Sequence, residues 1–387
     1  MNNPGLDDSR NPLKENLVRT KRREAARQDR ELVISIRGDD KKLVAREQPS
    51  HRLLARLKEE TWFRGLRKGH LGPDPRAVAM TILSPEGEDP SRLSTFLIEL
   101  EDATGSYRHR FSTGTLSAPA HRLLSKLREG GVLAEGAEVS IDVSLAPAAK
   151  CAPRKSTSRG VPVGGRIVTT SMLPSFEKAR LDDYLTRSDR LTGGFGHLEE
   201  DDLANDDSCP LFVTRGVWGD SRLMARRGGE QESAAMWTGR LMQDSSGEIF
   251  IVIDSCMPAE KAIETQFSVA FSGETWAQLQ ERLEKRRQRL RRPSERFCAS
   301  VHGHNFGPST DDSGNAMCAA CATAKVCGRT TASASTDDES WHRAVFGGQP
   351  WAVLLVYGWN ARQEEDWRLY GLRDGGLHPR PLYLLQD

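Results

Sequence analysis

The chain has no apolar run approaching the ~20 residues needed to cross a bilayer, and nothing in the polar, charged stretch Met1 to Arg30 would serve as a signal segment. A cytoplasmic protein with no membrane partner is the expectation. Charge of one sign is also missing: Lys+Arg 55 against Asp+Glu 54 leaves a formal +1, so no global field marks nucleic acid as a partner. Two local basic runs, Arg19 to Arg30 and Lys285 to Arg292, read as solvated tails or helix faces. Cysteine is scarce, with seven in 387 residues, too few for a disulfide framework in a chain of this length. Three of them, Cys318, Cys321 and Cys327, fall within ten residues, and in a reducing compartment such a cluster reads as metal ligation. Cys151, Cys209 and Cys256 read as small core or loop residues.

The length suits two domains with tails, at roughly 100 to 200 residues per domain. Residues 1–50 are charge-rich and read as a flexible lead-in. Residues 51–145 follow as a small α+β domain. It opens with an amphipathic helix carrying Leu53, Leu54, Leu57, Trp62, Phe63 and Leu66, and continues as strands with one helix over Ala118 to Glu129, closed by Gly130-Gly131. A ubiquitin-like β-grasp is one arrangement compatible with that order. Residues 146–207 read as linker and connecting segment. Residues 208–387 form the second domain, again α+β, with a mixed sheet flanked by helices. Strands are expected at Met236 to Met242, Ile249 to Ile253, Thr265 to Phe271, Phe297 to His304 and Trp351 to Tyr357. Helices are expected at Asp220 to Arg227, Thr275 to Arg292 and Asp337 to Phe346, with a cysteine-rich insert over 305–334.

The most informative residues are Val301-His302-Gly303-His304. On a strand, side chains at i and i+2 share a face, so both imidazoles reach one ion. An isolated His-x-His is more often a surface or hydrogen-bonded pair. A catalytic zinc usually has three protein ligands and an open position for water, with a carboxylate base nearby. Asp338 and Glu232 are the candidates for ligand and base. Glu230 lies two residues from Glu232. The insert offers a second, structural zinc on Cys318, Cys321 and Cys327, with Cys298 as the possible fourth ligand. Trp341, Trp351, Trp359 and Trp367 are either core aromatics or the lining of a peptide groove.

In order and residue type, this half resembles the JAMM family, the MPN-domain zinc metalloproteases that remove ubiquitin and related proteins. Glu232-Ser-Ala-Ala-Met-Trp-Thr-Gly239 is similar to the family's opening, in which a glutamate stands seven residues before a glycine. His302-Gly-His304 is similar to its ligand pair, and Ser335-Thr-Asp-Asp338 to its closing Ser-x-x-Asp at the head of a helix. The likeness covers roughly residues 209 to 387. Three features depart from the family pattern: Gly303 stands where a hydroxyl residue is usual, Asn305 stands in place of a proline, and the insert separates histidine from serine. A nearer Ser309-Thr-Asp-Asp312 also fits Ser-x-x-Asp.

The resemblance implies that His302, His304 and Asp338 hold Zn2+, with Glu232 as general base and then acid and Ser335 donating to the developing oxyanion. It implies hydrolysis of a peptide or isopeptide bond after the tail of a ubiquitin-like protein, which is the implied partner. A second class stays open: many MPN domains bind no metal and act as assembly scaffolds, and a structural zinc in the insert would suit such a protein.

Overall fold

The computed structural model describes residues 30–147, 175–193, 208–229, 231–264, 269–305, 330–360 and 364–386. They fall into two compact units. No helix among them is long and apolar enough to cross a membrane.

The smaller unit starts earlier than composition suggests. Strand β1 (Arg30–Arg37) and strand β2 (Leu43–Glu47) lie within the stretch expected to be a flexible lead-in. The run Leu32-Val33-Ile34-Ser35-Ile36 is buried throughout, and that apolar, β-branched content outweighs the charge around it. Helix α1 (His51–Arg67) follows, of which the part to Thr61 belongs to this unit and the part from Trp62 to the larger one, then β3 (Ala79–Leu83), β4 (Thr95–Glu101) and β5 (Ser106–Ser112). Helix α2 (Ser117–Glu129) covers the predicted span, and Gly131 beyond it adopts a φ of 69°, a left-handed conformation that costs glycine little. Strand β6 (Ser140–Pro147) completes the unit. The strands form two separate sheets, β2-β1-β6 and β3-β4-β5, antiparallel throughout. This α+β unit therefore differs from the single mixed sheet of a β-grasp.

The larger unit begins inside the expected connecting segment, with β7 (Phe176–Lys178), the short helix α3 (Leu181–Leu185) and β8 (Ser188–Leu191). β7 pairs parallel with a central strand and β8 forms one edge of the main sheet. Next come β9 (Leu211–Thr214), α4 (Arg215–Arg226), β10 (Ser233–Gln243), β11 (Ile249–Pro258), the small pair β12 (Ile263–Glu264) and β13 (Val269–Ala270), α5 (Gly273–Leu290) and β14 (Arg296–Gly303). The chain ends with α6 (Thr336–Phe346), β15 (Val353–Trp359), β16 (Glu365–Arg373), β17 (Gly376–Pro379) and β18 (Leu382–Leu385). The strand expected over Thr265 to Phe271 is only the two-residue β13 among the described residues, paired with β12 and outside the main sheet.

The main sheet is mixed, in the order β17-β16-β15-β14-β10-β11-β9-β18-β8. Alternation along β10 explains its two covered faces. Ala234 and Met236 pack with Leu279 and Leu283 of α5 and Phe346 of α6. Trp237 points the other way, where its indole N–H donates to Ser221 Oγ of α4 at 2.6 Å. β14 and β15 run parallel, with α6 in the connection between them, so the last residues of β14 meet the first turn of α6.

Candidate metal centre

Register brings the acidic and imidazole groups together. Ala234 pairs with His302 and Ser233 with Gly303, which sets Glu232 across from His304 at the end of the β10–β14 ladder. All three side chains are buried. Gly303 between the histidines is required by close approach: a Cβ there would stand 2.2 Å from the Ala225 carbonyl oxygen of α4. A hydroxyl residue does not fit at that position, which accounts for one departure from the family pattern. Asn305 accounts for a second. Its side-chain amide donates to the Gln231 carbonyl and ties the residue before Glu232 to the strand end after His304.

Asp338 arrives on the first turn of α6. Ser335 is the N-cap, its Oγ accepting from the Asp338 N–H at 3.1 Å, while Asp338 Oδ2 accepts from the Ser335 N–H at 2.7 Å. This capping box fixes the carboxylate without using all its lone pairs. The approach to the helix is pinned as well. Thr331 N–H donates to the Trp359 carbonyl at 3.0 Å, and Tyr370 accepts from the Ala334 N–H at 3.2 Å. Gly358 lets this segment come close, since a Cβ would meet Ala332 N at 2.5 Å.

The ligand atoms of His302, His304 and Asp338 all lie within 4.8 Å of one another. His302 Nε2 and His304 Nε2 are 3.0 Å apart; Asp338 stands 3.4 Å from the first and 3.8 Å from the second. A tetrahedral zinc with bonds of about 2.0–2.2 Å spaces its ligands about 3.3–3.6 Å apart, so the donors and their separations fit that ion. The Thr331 carbonyl accepts from His304 Nδ1, which leaves Nε2 with its lone pair toward the other donors. Burial, helped by His302, holds His304 down to about 4 and so keeps it neutral, the form that ligates. Burial alone would raise Asp338, but hydrogen bonds from His302 and Ser335 outweigh it and hold the carboxyl well below its usual range.

Glu232 stands 3.7 Å from His304 Nε2. Burial pushes it up to about 7; the charge of His302 opposes the rise and that of Asp338 adds to it. A carboxyl with that affinity takes and returns a proton near neutrality. These groups line a cleft of about 370 Å³, whose other wall is Val269, Phe271 and Trp341. Ser335 also lines it, with its oxygen the acceptor in the cap and no acceptor for its hydroxyl hydrogen among the described residues.

Glu232, Ser335, His302, His304 and Asp338 thus come together in one cleft. Cys298 is fully buried, its thiol pushed up to about 12 by burial, with Sγ 3.6 Å from the Arg296 carbonyl. Cys318, Cys321, Cys327, Glu230, Ser309 and Asp312 lie outside the described residues. Of the tryptophans, Trp341 lines the cleft, Trp351 is buried, Trp367 packs edge-on against Trp218, and Trp359 lies under the Arg226 guanidinium. Sequence reasoning missed Thr331, which acts through its backbone and carries no side-chain signal. It also missed Phe271 as a cleft wall.

No family model and no curated protein matches the chain. Among solved structures, the chain is similar to the solution structure of protein DSY2949 from Desulfitobacterium hafniense. The match has 14% identity, covers 46% of this chain and 94% of that one, and has a TM-score of 0.27, too low to bear on fold or function.

Proposed function

We propose that the larger unit is a JAMM-type zinc hydrolase that cleaves peptide or isopeptide bonds, with a ubiquitin-like protein or its conjugate as substrate. The observation that carries this reading is the position of Glu232, buried 3.7 Å from His304 Nε2, beside a His-His-Asp set with the spacing of zinc ligands. A structural zinc site has no use for a fourth, non-ligating carboxyl that binds a proton near pH 7.

His302, His304 and Asp338 would hold the ion, and when bound it supplies activation of water and polarisation of the scissile carbonyl. Glu232 takes the proton from the attacking water and hands it to the leaving amine. Ser335, its oxygen engaged by the Asp338 N–H, directs its hydroxyl hydrogen at the oxygen that gains charge. The apolar wall of Phe271 and Trp341 excludes water and strengthens these interactions.

The direct test is incubation of purified, zinc-loaded protein with ubiquitin-like fusion proteins and isopeptide conjugates, with and without a chelator. Cleavage at the tail, abolished by chelation and by His304→Ala, is the expected result. A zinc-loaded protein that cleaves none of them removes the ubiquitin-like substrate from the proposal.

A further inference from the structure

Strand β14 directs one more polar group into the cleft. Ser300, two residues before His302 and so on the same face, is buried at 2% exposure and lines the cleft floor. Its Oγ lies 3.2 Å from Nδ1 of His342 on α6. His342 is itself buried, and the Ala352 backbone carbonyl is a further acceptor for its ring. Burial holds this imidazole down to about 3, so it is neutral, with one N–H and one lone pair. The carbonyl can only accept, so it takes the N–H. Nδ1 is then the acceptor, and Ser300 must donate to it.

A serine whose proton is committed has only lone pairs left to offer. No donor meets Ser300 Oγ among the described residues. The result is a hydroxyl with a fixed sense, an acceptor facing the cleft beside the metal ligands. Opposite it, Val269, Phe271 and Trp341 keep the surroundings apolar, where a hydrogen bond counts for more than in water.

We infer that Ser300 is a substrate-binding residue whose oxygen accepts a hydrogen bond from a backbone-type amide N–H of the chain held at the metal centre. The inference deepens the hydrolase reading and rests on it. A ligand lacking that N–H leaves a buried acceptor unpaired, the situation in which binding sites discriminate most sharply.

Hydroxamates test it without turnover, because the hydroxamate anchors on the metal and the rest of the molecule reaches along the cleft. Calorimetry on zinc-loaded protein would compare acetohydroxamate with two amide/ester pairs. These are N-acetylglycine hydroxamate with its acetoxyacetyl ester analogue, and N-acetyl-β-alanine hydroxamate with its ester analogue. At least one amide should bind about 5- to 30-fold more tightly than its ester, and Ser300→Ala should bring that ratio to about one while leaving acetohydroxamate binding unchanged. A Ser300 that merely holds His342 would alter stability in that variant and leave the ratio intact, which overturns the inference. Equal binding of amide and ester by the wild-type protein overturns it without any variant. If acetohydroxamate shows no zinc-dependent binding at all, the metal reading falls and the Ser300 inference falls with it.

Discussion

The two ends of the β10–β14 ladder both bury acidic groups, and they treat them in opposite ways. At the far end, Arg240 forks onto Asp254 at 2.7 and 2.9 Å and reaches Glu177 at 2.5 Å, Arg292 adds a contact to Asp254 at 2.9 Å, and Arg286 meets the fully buried Glu295 at 2.6 Å. At the metal end, Glu232 and Asp338 face imidazoles, and no lysine or arginine pairs with either among the described residues. Buried carboxylates are tolerated when a cation balances them. At the far end the chain supplies that cation itself. At the near end it supplies imidazoles and a gap whose dimensions fit a zinc ion. The basic run Lys285 to Arg292, read from sequence as a solvated face, partly belongs to this contrast: Arg286 and Arg292 turn inward to close the arginine end.

The largest effect expected from breaking this comparison is on turnover. Glu232→Gln keeps the shape of the cleft and the three ligands but removes the proton carrier. Hydrolysis should fall by about 10²- to 10⁴-fold with zinc content unchanged, read by metal analysis alongside initial rates. Near-normal turnover would remove Glu232 from the chemistry.

At the other end the prediction inverts. Arg240→Ala leaves Asp254 and Glu177 short of their main cation in a half-buried setting and should cost about 3–5 kcal/mol in denaturant unfolding. Zinc stoichiometry should stay the same. A variant that loses zinc as well would show that the two ends are coupled through the strands.

How much of this was legible in the sequence follows from the physics of each element. The long buried strands β10, β11, β14 and β15 and the helices α5 and α6 carry periodicity over many residues, and they fall within a few residues of expectation. His302 and His304 were legible because strand spacing puts both rings on one face, whereas Asp338 was legible only through the likeness of Ser335-Thr-Asp-Asp338 to a family's closing Ser-x-x-Asp. The short elements were not. β7, α3 and β8 are three to five residues each, too short to show a period; β7 and β8 hold their places by pairing with β10 and β18, and α3 by packing Leu181 and Tyr184 against Phe212 and Phe250. β1 was hidden because the average charge of residues 1–50 masks a five-residue apolar run. Gly303 and Asn305 stood out as departures from a family pattern, yet their reasons, a helix backbone against one and a carbonyl within reach of the other, are tertiary and leave no mark in the chain order.

A smaller effect should follow from metal addition. An ion that binds only the folded state stabilises it by about 2.7 kcal/mol at a hundred times its Kd. Zinc should raise the unfolding midpoint of the wild-type protein, and Asp338→Asn should abolish most of that rise. The variant also disturbs the α6 capping box, so the quantity to compare is the change on adding zinc, in which the cap cancels. Should Asp338→Asn keep the full rise and Cys321→Ser lose it, the stabilising zinc sits in the cysteine-rich insert and the scaffold reading gains.

The smallest effect separates a histidine that is buried for packing from those of the candidate metal centre. His342 lies between Ser300 and the Ala352 carbonyl with no acid paired to it among the described residues, and burial, helped by the charge of Arg343, holds its folded affinity down to about 3 against about 6.5 in an unfolded chain. Between those values the unfolded state binds the proton and the folded state does not, so acid favours unfolding. The stability tied to this neutral ring is fully present above about pH 6.5 and drains away as the pH falls toward 3. One unit below the unfolded value the loss is about 1.4 kcal/mol. Chelated wild-type protein should therefore lose about that much more stability between pH 7.5 and 5.5 than His342→Asn, whose side chain does not titrate, although the variant starts lower at pH 7.5 for want of the ring. His304 titrates in both proteins and cancels from the difference. Parallel pH dependences for the two would mean that His342 gains a partner on protonation, and its fixed acceptor role toward Ser300 would be lost below neutrality.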